Sequence, residues 1–336
     1  MSPKVKIVIV TPARREANNG NWRTADRWSR FLRDRFDVEI ATAWGPAQGI
    51  ARCMIALHAR RSAGSLANFA EACPNHPRIL VLTGTDLYRD IGVDRIARRS
   101  LDLATHLVVL QDAALDALED RHRAKCRVIY QSAPARARRA PGKQCFDVIL
   151  VGHMRAEKDP LTPMRALMRL PAESRVRLIH VGDALDEQYA DAARKLQAHA
   201  WPTIARYRWL GARSHEETRR RIAAANALVV SSVIEGGANV IVEAVTSGVA
   251  VLASRISGNV GMLGAHYDGY FAPGDDAQLA GLLHRIAADP AFLAHLARQC
   301  AARVALFDPA SERAAVNRLV DDALALPFED GRWAAG

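Results

Sequence analysis

Short, continuously apolar segments alternate with longer segments of helical spacing along the whole chain. Strands that are apolar on both faces and separated by helices pack in parallel sheets, which the helices cover on both sides. The pattern therefore predicts an α/β fold built from doubly wound sheets. In the first half the predicted strands are Val5–Thr11, Val38–Thr42, Cys53–Leu57, Ile79–Leu82, His106–Leu110 and Arg127–Tyr130. In the second half they are Asp147–Val151, Val176–Val181, Arg206–Leu210, Ala227–Val230 and Val249–Ala253.

The alternation is interrupted at 132–144, a stretch rich in Ala, Arg, Pro and Gly without apolar periodicity. Such a stretch is typical of an interdomain linker. The 336 residues are also enough for two domains, each with its own core. We therefore expect two Rossmann-like domains, at 1–135 and 145–307, which face a central cleft. The helices predicted between the strands include Trp22–Arg35, Ser65–Ala72 and Asp112–Arg121.

The composition is that of an ordinary globular protein, with 49% hydrophobic and 24% charged residues. No apolar run reaches the roughly 18 to 20 residues that span a bilayer. The apolar segment near the start is too short for a signal peptide and predicts a buried strand in a cytoplasmic protein. The five cysteines are scattered and include no Cys-x-x-Cys pair, which argues against a disulfide framework or a zinc site.

The chain carries a formal net charge of +10, which permits nucleic-acid binding. The arginines are spread along predicted helices, and the aromatic residues, at 6%, are not interleaved with the basic runs. Such a distribution does not favour a stacking platform for single strands. We expect an anionic small substrate and no nucleic acid, and a nucleic-acid-binding module is kept as the alternative.

One segment places two carboxylates, Glu235 and Glu243, eight positions apart across a predicted loop and helix start. Glycine lets a backbone approach a ligand closely, and amides at a helix start favour a diphosphate. Carboxylates accept hydrogen bonds from paired hydroxyls. The segment therefore suits a nucleoside diphosphate sugar, with one Glu for each diol. The residues between the two carboxylates that we predict to bind the donor are Gly236, Gly237, Ala238, Asn239 and Val240.

A second motif, Gly152-His153-Met154-Arg155-Ala156-Glu157-Lys158, follows the strand Asp147–Val151. A leaving nucleoside diphosphate gathers negative charge, and a nearby cation stabilises it. Lys158 is the predicted cation.

These two motifs resemble those of the retaining glycosyltransferases of family 4, which have the GT-B fold. The resemblance implies a metal-independent hexosyltransferase without cofactor, and no Asp-x-Asp motif lies near the candidate residues. It implies a catalytic role for Lys158, Arg155 and Glu235, with Glu243 on the ribose. The family's Arg position is His153 here, so that either His153 or Arg155 takes the place of that cation. A turn containing Gly182 resembles the family's base-binding turn, and the last helix, 311–326, is expected to cross back to the first domain.

The loop after the first strand is unusually polar and contains Asn18-Asn19-Gly20-Asn21-Trp22-Arg23-Thr24-Ala25. The resemblance places Gly20 and Asn21 beside the sugar and the donor phosphates. The turn that follows the fourth strand, Thr83 to Arg89, carries a His in many family members and has none here. His58 and His106 lie in apolar runs and are predicted to be satisfied core histidines.

The loop and the turn together resemble those of the selenosugar synthases of selenoneine biosynthesis. That resemblance implies transfer of an N-acetylglucosaminyl or glucosyl group from a UDP-sugar to selenophosphate, forming a carbon–selenium bond. A selenium anion is a strong nucleophile that needs no general base, which is consistent with the missing His. A trianionic acceptor needs cations, and the candidate acceptor residues are Arg14, Arg15, Arg23, Thr24, Thr85, Asp86 and Arg89.

Two enzyme alternatives stay open, a family-4 O- or S-glycosyltransferase with another small acceptor and a nucleotide-sugar 2-epimerase. The sequence does not determine the oligomeric state.

Overall fold

A computed structural model describes residues 4–14, 20–142 and 144–325 of the chain. The chain divides into two compact units. One runs to Gln131 and resumes at Pro309, and the other spans Ser132–Asp308. Each unit contains a six-stranded sheet in which all neighbouring strands are parallel. The predicted α/β class, with two doubly wound units, is confirmed.

The first unit has the strand order β2-β1-β3-β4-β5-β6. The second strand is added on one side of β1, and the later strands are added on the other side. Its strands are β1 (Lys6–Val10), β2 (Asp37–Ala41), β3 (Cys53–Leu57), β4 (Arg78–Val81), β5 (His106–Val109) and β6 (Cys126–Val128). Its helices, numbered along the chain, are α1 (Gly20–Leu32), α2 (Ala63–Ala72), α3 (Ile91–Val93), α4 (Arg95–Leu103), α5 (Asp120–Arg123) and α13 (Pro309–Leu324). The helices pack in two hydrophobic clusters. One cluster contains residues of α1 and α13, and the other contains residues of α2 and α4.

The second unit has the strand order β12-β11-β10-β7-β8-β9. Its strands are β7 (Phe146–Val151), β8 (Val176–Val181), β9 (Tyr207–Trp209), β10 (Ala227–Val230), β11 (Ala250–Ser254) and β12 (Tyr270–Phe271). Its helices are α6 (Leu161–Met168), α7 (Glu187–Gln197), α8 (His215–Ala224), α9 (Asn239–Val245), α10 (Ser257–Leu263), α11 (Asp276–Ala288) and α12 (Pro290–Ala301). The order places β10 and β8 on either side of β7, so the loops after these three strands meet at one edge of the sheet.

The helix α13 packs on α1 of the first unit through a buried carboxylate. Glu312 is 3% exposed and accepts hydrogen bonds from Trp28 Nε1 at 2.8 Å and from Arg27 Nε at 2.8 Å. Charge-assisted hydrogen bonds of this kind offset the cost of burying a carboxylate. The sequence predicts this last helix at 311–326; the structure gives Pro309–Leu324, and Leu326 lies outside the described residues.

All eleven predicted strands are present, and β12 is an additional one that the sequence did not predict. The predicted helix Asp112–Arg121 is wrong. The structure has a 3₁₀ segment at Asp112–Ala117 and the short helix α5, because the intervening Leu118 is extended, with φ −105° and ψ 141°.

The described part of the predicted linker, 132–142, contains no helix or strand and bonds to the second unit. The Arg136 amide donates to the Thr246 carbonyl at 3.3 Å, and the Arg139 amide donates to the Ala223 carbonyl at 2.9 Å. This segment therefore lies along the second unit.

All five cysteines are free thiols; four are buried, and Cys145 is partly exposed. Burial raises the pKa of Cys53 to about 12 and that of Cys126 to about 11, which keeps both protonated. These two cysteines therefore act as small hydrophobic residues. Among the described residues, every helix is too short or too polar to cross a lipid bilayer.

Candidate functional site

A pocket in the second unit lies where β7, β8 and β10 end. Gly152, His153 and Lys158 line it from the loop after β7, and Glu235 lines it from the loop after β10. Val240, on α9, closes the same pocket. Ligands of open α/β sheets bind at the carboxyl ends of the strands, so this is the expected position for a binding site.

Two residues of the pocket lining, Lys158 and Glu235, form an ion pair. Lys158 Nζ donates to Glu235 Oε1, and Ser232 Oγ donates to the same oxygen at 2.6 Å. The two charged side chains are 25% and 11% exposed, so the pair is only partly screened by water. Sequence reasoning predicted both charged residues but not their contact, and it missed Ser232.

The backbone around Lys158 is held in place by its neighbours. Lys158 ends a 3₁₀ turn, and Asp159 then adopts a left-handed conformation with φ +40°. Ser231 Oγ lies 2.9 Å from the Lys158 carbonyl and 2.8 Å from the Asp159 carbonyl. The Val233 amide donates to the Glu157 carbonyl at 2.9 Å. These bonds join the loop after β10 to the loop after β7 and so bring Lys158 to Glu235.

Gly182 allows the ends of β7 and β8 to approach each other closely. A Cβ atom at Gly182 would lie 2.0 Å from the carbonyl oxygen of Gly152, which excludes any other residue without movement of the backbone. The same requirement holds at Gly258, where a Cβ would lie 2.0 Å from the Glu235 carbonyl oxygen. Gly182, a predicted site residue, therefore allows the close approach of Gly152, which lines the pocket.

The two candidates for the second cationic position differ in their surroundings. His153 lines the pocket, and its Nδ1 accepts a hydrogen bond from the Asp183 amide at 3.0 Å. A neutral imidazole bonded in this way carries its proton on Nε2, which makes that atom a donor. Arg155 lies outside the pocket lining, is 44% exposed and has Nε 3.9 Å from Glu157 Oε2. The geometry favours His153.

His180, which sequence reasoning missed, is buried beneath the same pocket. Its Nδ1 lies 3.0 Å from the Tyr207 hydroxyl and its Nε2 lies 3.2 Å from the Gly152 carbonyl. Burial lowers the pKa of His180 to about 4, so the ring is neutral at neutral pH. A histidine next to the last residue of the strand Val176–Val181 was the available signal in the sequence.

Glu243 projects from α9 and pairs with a residue of α8. Its side chain is 8% exposed, and Glu243 Oε1 lies 2.6 Å from His215 Nε2. Ser214 caps α8 by accepting from the Glu217 amide at 3.2 Å. The role of His215 was not predicted.

The other predicted donor residues, Gly236, Gly237, Ala238 and Asn239, connect Glu235 to Val240. Ala238 is buried and precedes the first residue of α9, and within 144–325 no side chain caps this helix. The segment thus runs from one wall of the pocket to another.

In the first unit, the predicted loop residues around Gly20 contribute to the helix α1. Gly20 is its first residue, followed by Asn21 and by Arg23, which is half-buried. Thr24 is buried; its hydroxyl donates to the Gly20 carbonyl at 2.9 Å and accepts from Gln131 Nε2 at 2.5 Å. The Thr24 hydroxyl is therefore engaged within the fold. Arg14 is exposed, and Arg15 lies outside the described residues.

Asp86, predicted to bind the acceptor, also has a structural role. It is fully buried, and its carboxylate accepts from the amides of Ala59 at 2.9 Å, Thr83 at 2.9 Å and Gly84 at 2.8 Å. The exposed Arg89 places Nε 3.1 Å from Asp90 Oδ1. Asp86 thereby fixes the loops after β3 and β4 to each other.

Thr85, in the same turn, contacts His58 from the end of β3. His58 Nε2 lies 3.0 Å from Thr85 Oγ1, and His58 Nδ1 accepts from the Arg61 amide at 3.3 Å. Burial lowers the pKa of His58, whose φ of +76° is unusual for a residue other than glycine. The prediction that His58 is a satisfied buried histidine is confirmed.

Comparison with known families identifies the class of protein. Residues 134–303, just over half of the chain, match the family model described as glycosyl transferases group 1. The chain therefore belongs to the group 1 glycosyl transferases. No curated protein sequence is significantly similar to it.

Several solved structures share the fold over almost the whole chain. HepE from Anabaena in complex with UDP is 17% identical, with a TM-score of 0.76, covering 95% of this chain and 100% of that one. HepE in complex with UDP-glucose is 18% identical, with a TM-score of 0.76, covering 94% and 99%. Sucrose-phosphate synthase from Thermosynechococcus elongatus is 17% identical, with a TM-score of 0.78, covering 96% and 100%. These similarities establish the GT-B fold.

Proposed function

We propose that the protein transfers a hexosyl group from a UDP-sugar, with the donor bound by the second unit and the acceptor by the first. The observation that carries the proposal is the half-buried Lys158–Glu235 pair at the carboxyl edge of the second sheet. HepE, which has the same fold, has been crystallised with UDP and with UDP-glucose.

The pocket contains groups that can stabilise a nucleoside diphosphate as it leaves the sugar. Lys158 Nζ supplies a positive charge, and the Nε2 proton of His153 supplies a second donor. Both stabilise the negative charge that develops on the leaving diphosphate. This arrangement uses side chains of the chain itself, and we propose a mechanism that needs neither metal nor cofactor.

Glu235 is suited to hold the hexose. Its Oε1 is occupied by Lys158 and Ser232, which fixes the orientation of the carboxylate. The remaining acceptor positions of a carboxylate can bind sugar hydroxyls. We propose that attack occurs on the face of the sugar from which the diphosphate leaves, with retention of configuration.

We propose selenophosphate as the acceptor, with an N-acetylglucosaminyl or glucosyl donor. The sequence resemblance supports this, and so do the hydrogen bonds of His58, whose imidazole contacts Thr85 of the predicted acceptor turn. His58 has Nδ1 bonded to the Arg61 amide and Nε2 beside Thr85, which leaves it poorly placed to act as a general base. A selenium anion requires no such base.

Mass spectrometry of products tests this function directly. The purified protein is incubated with a panel of UDP-sugars, and selenophosphate, thiophosphate and phosphate are offered in parallel. A selenium-containing hexose that forms only with selenophosphate supports the proposal. Transfer only to another acceptor would replace selenophosphate as the substrate, and UDP release without any acceptor would indicate epimerase chemistry instead.

A further inference from the structure

The buried carboxylate of Glu243 is held by a histidine that is itself accessible. The Glu243 side chain is 8% exposed, whereas that of His215 is 44% exposed, and Oε1 and Nε2 are 2.6 Å apart. A buried carboxylate is costly without a donor, and the contact with His215 Nε2 offsets the cost of burying Glu243. Its second oxygen, Oε2, remains able to accept a further hydrogen bond.

Local structure fixes both partners. His215 is the first residue of α8, and Ser214 caps this helix through the Glu217 amide and through Thr218 Oγ1, which donates to the Ser214 carbonyl at 2.9 Å. Glu243 lies three residues after Val240, which lines the pocket, so the two side chains are neighbours on one face of α9. His215 therefore meets Glu243 one helical turn from the pocket.

We propose that His215 is a positioning residue for the nucleoside of the donor. It holds the Glu243 carboxylate in one orientation, so that Oε2 accepts a hydrogen bond from the ribose diol. This inference rests on the proposed function, because it assumes that the pocket binds a ribonucleoside diphosphate. It assigns to His215 a share in distinguishing a ribose from a sugar without the 2′ and 3′ hydroxyls.

Calorimetric titration with two nucleotides tests the inference. UDP and 2′,3′-dideoxyuridine diphosphate are each titrated into the wild type, His215→Ala, His215→Gln and Glu243→Gln. His284→Ala, an exposed histidine of α11 outside the pocket lining, is the matched control. Thermal unfolding of each variant establishes that the second unit is intact.

Loss of His215 is expected to lower the affinity for UDP roughly tenfold, since a hydrogen bond to a charged group is lost from the ribose site. The affinity for the dideoxy nucleotide should change less than about twofold, so the preference for UDP falls. His215→Gln, which retains a donor, should recover part of that preference. Combining His215→Ala with Glu243→Gln should add little, because both act through one contact.

The outcomes separate the inference from the function on which it rests. An unchanged preference for UDP in a folded His215→Ala protein, with normal UDP binding by the wild type, would overturn the role of His215 alone. Equal losses for both nucleotides would also overturn it, because a purely structural role does not depend on the ribose hydroxyls. Failure of the wild type to bind UDP would overturn the proposed function and this inference with it.

Discussion

The carboxyl edges of the two sheets use polar residues in opposite ways. In the second unit, Lys158 and Glu235 contact each other at a half-buried pocket, with one carboxylate oxygen engaged by donors. In the first unit, Asp86 and Thr24 are buried, and their oxygens bond to the backbone or to a neighbouring side chain of the fold. Polar residues after a strand are therefore not by themselves evidence of a ligand. What distinguishes the second unit is that charged groups from two strand ends, Lys158 after β7 and Glu235 after β10, meet where solvent can reach them.

The largest expected effect is on turnover when Lys158 is replaced. Lys158→Ala should lower kcat by about 100-fold or more, since removal of one group that stabilises the departing charge has effects of that size. Steady-state kinetics with a UDP-sugar donor measures it. Lys195→Ala, an exposed lysine on α7, is the matched control and should retain activity. Equal turnover in Lys158→Ala and the wild type would remove Lys158 from the mechanism.

The opposite result is expected at the edge of the first sheet. Asp86→Ala should lower the free energy of unfolding by about 3 kcal/mol, since buried amides left without acceptors cost about 1 to 3 kcal/mol each. Denaturant unfolding measures the loss, with the exposed Asp116→Ala as the control. A stable Asp86→Ala protein with impaired acceptor saturation would instead make Asp86 a ligand and remove the contrast between the units.

The sequence predicted the strands because both sheets are built from continuous apolar runs, and it predicted Lys158 and Glu235 because their motifs are local. Contacts between residues that are distant along the chain could not be predicted from local motifs. Lys158 and Glu235 are 77 residues apart, and their contact depends on β10 lying beside β7. The strand β12 has only two residues, which is too short for an apolar pattern to predict it. The role of His215 could not be predicted, because the residues around it in the sequence do not indicate its contact with Glu243.

A smaller effect is expected in the pH dependence of stability, because of His180. Its pKa in the folded protein is about 4, below the value near 6.5 of an unfolded histidine. Between these values the unfolded chain binds the proton more readily, so the folded state loses stability as the pH falls through this window. From pH 7 to pH 5 the loss should be about 2 kcal/mol.

His180→Gln should lack this component. Unfolding of both proteins at pH 7 and pH 5 gives the difference in slope, which cancels the contributions of other titrating groups. Identical slopes would show that burial beneath the pocket does not keep His180 neutral.

The smallest effect concerns thiol reactivity. Cys145, just before β7, should react first with a disulfide reagent under native conditions, because it is the least buried of the five cysteines. Cys53, whose pKa burial raises to about 12, should react only on unfolding. Labelling followed by peptide mass spectrometry identifies the modified residue, and rapid labelling of Cys53 would show that the first sheet opens readily.

A crystal structure of the protein with UDP shows where the nucleotide binds. We expect the diphosphate within hydrogen-bonding distance of Lys158 Nζ and the ribose hydroxyls against Glu243. A nucleotide bound elsewhere, with the Lys158–Glu235 pair unchanged and untouched, would contradict it.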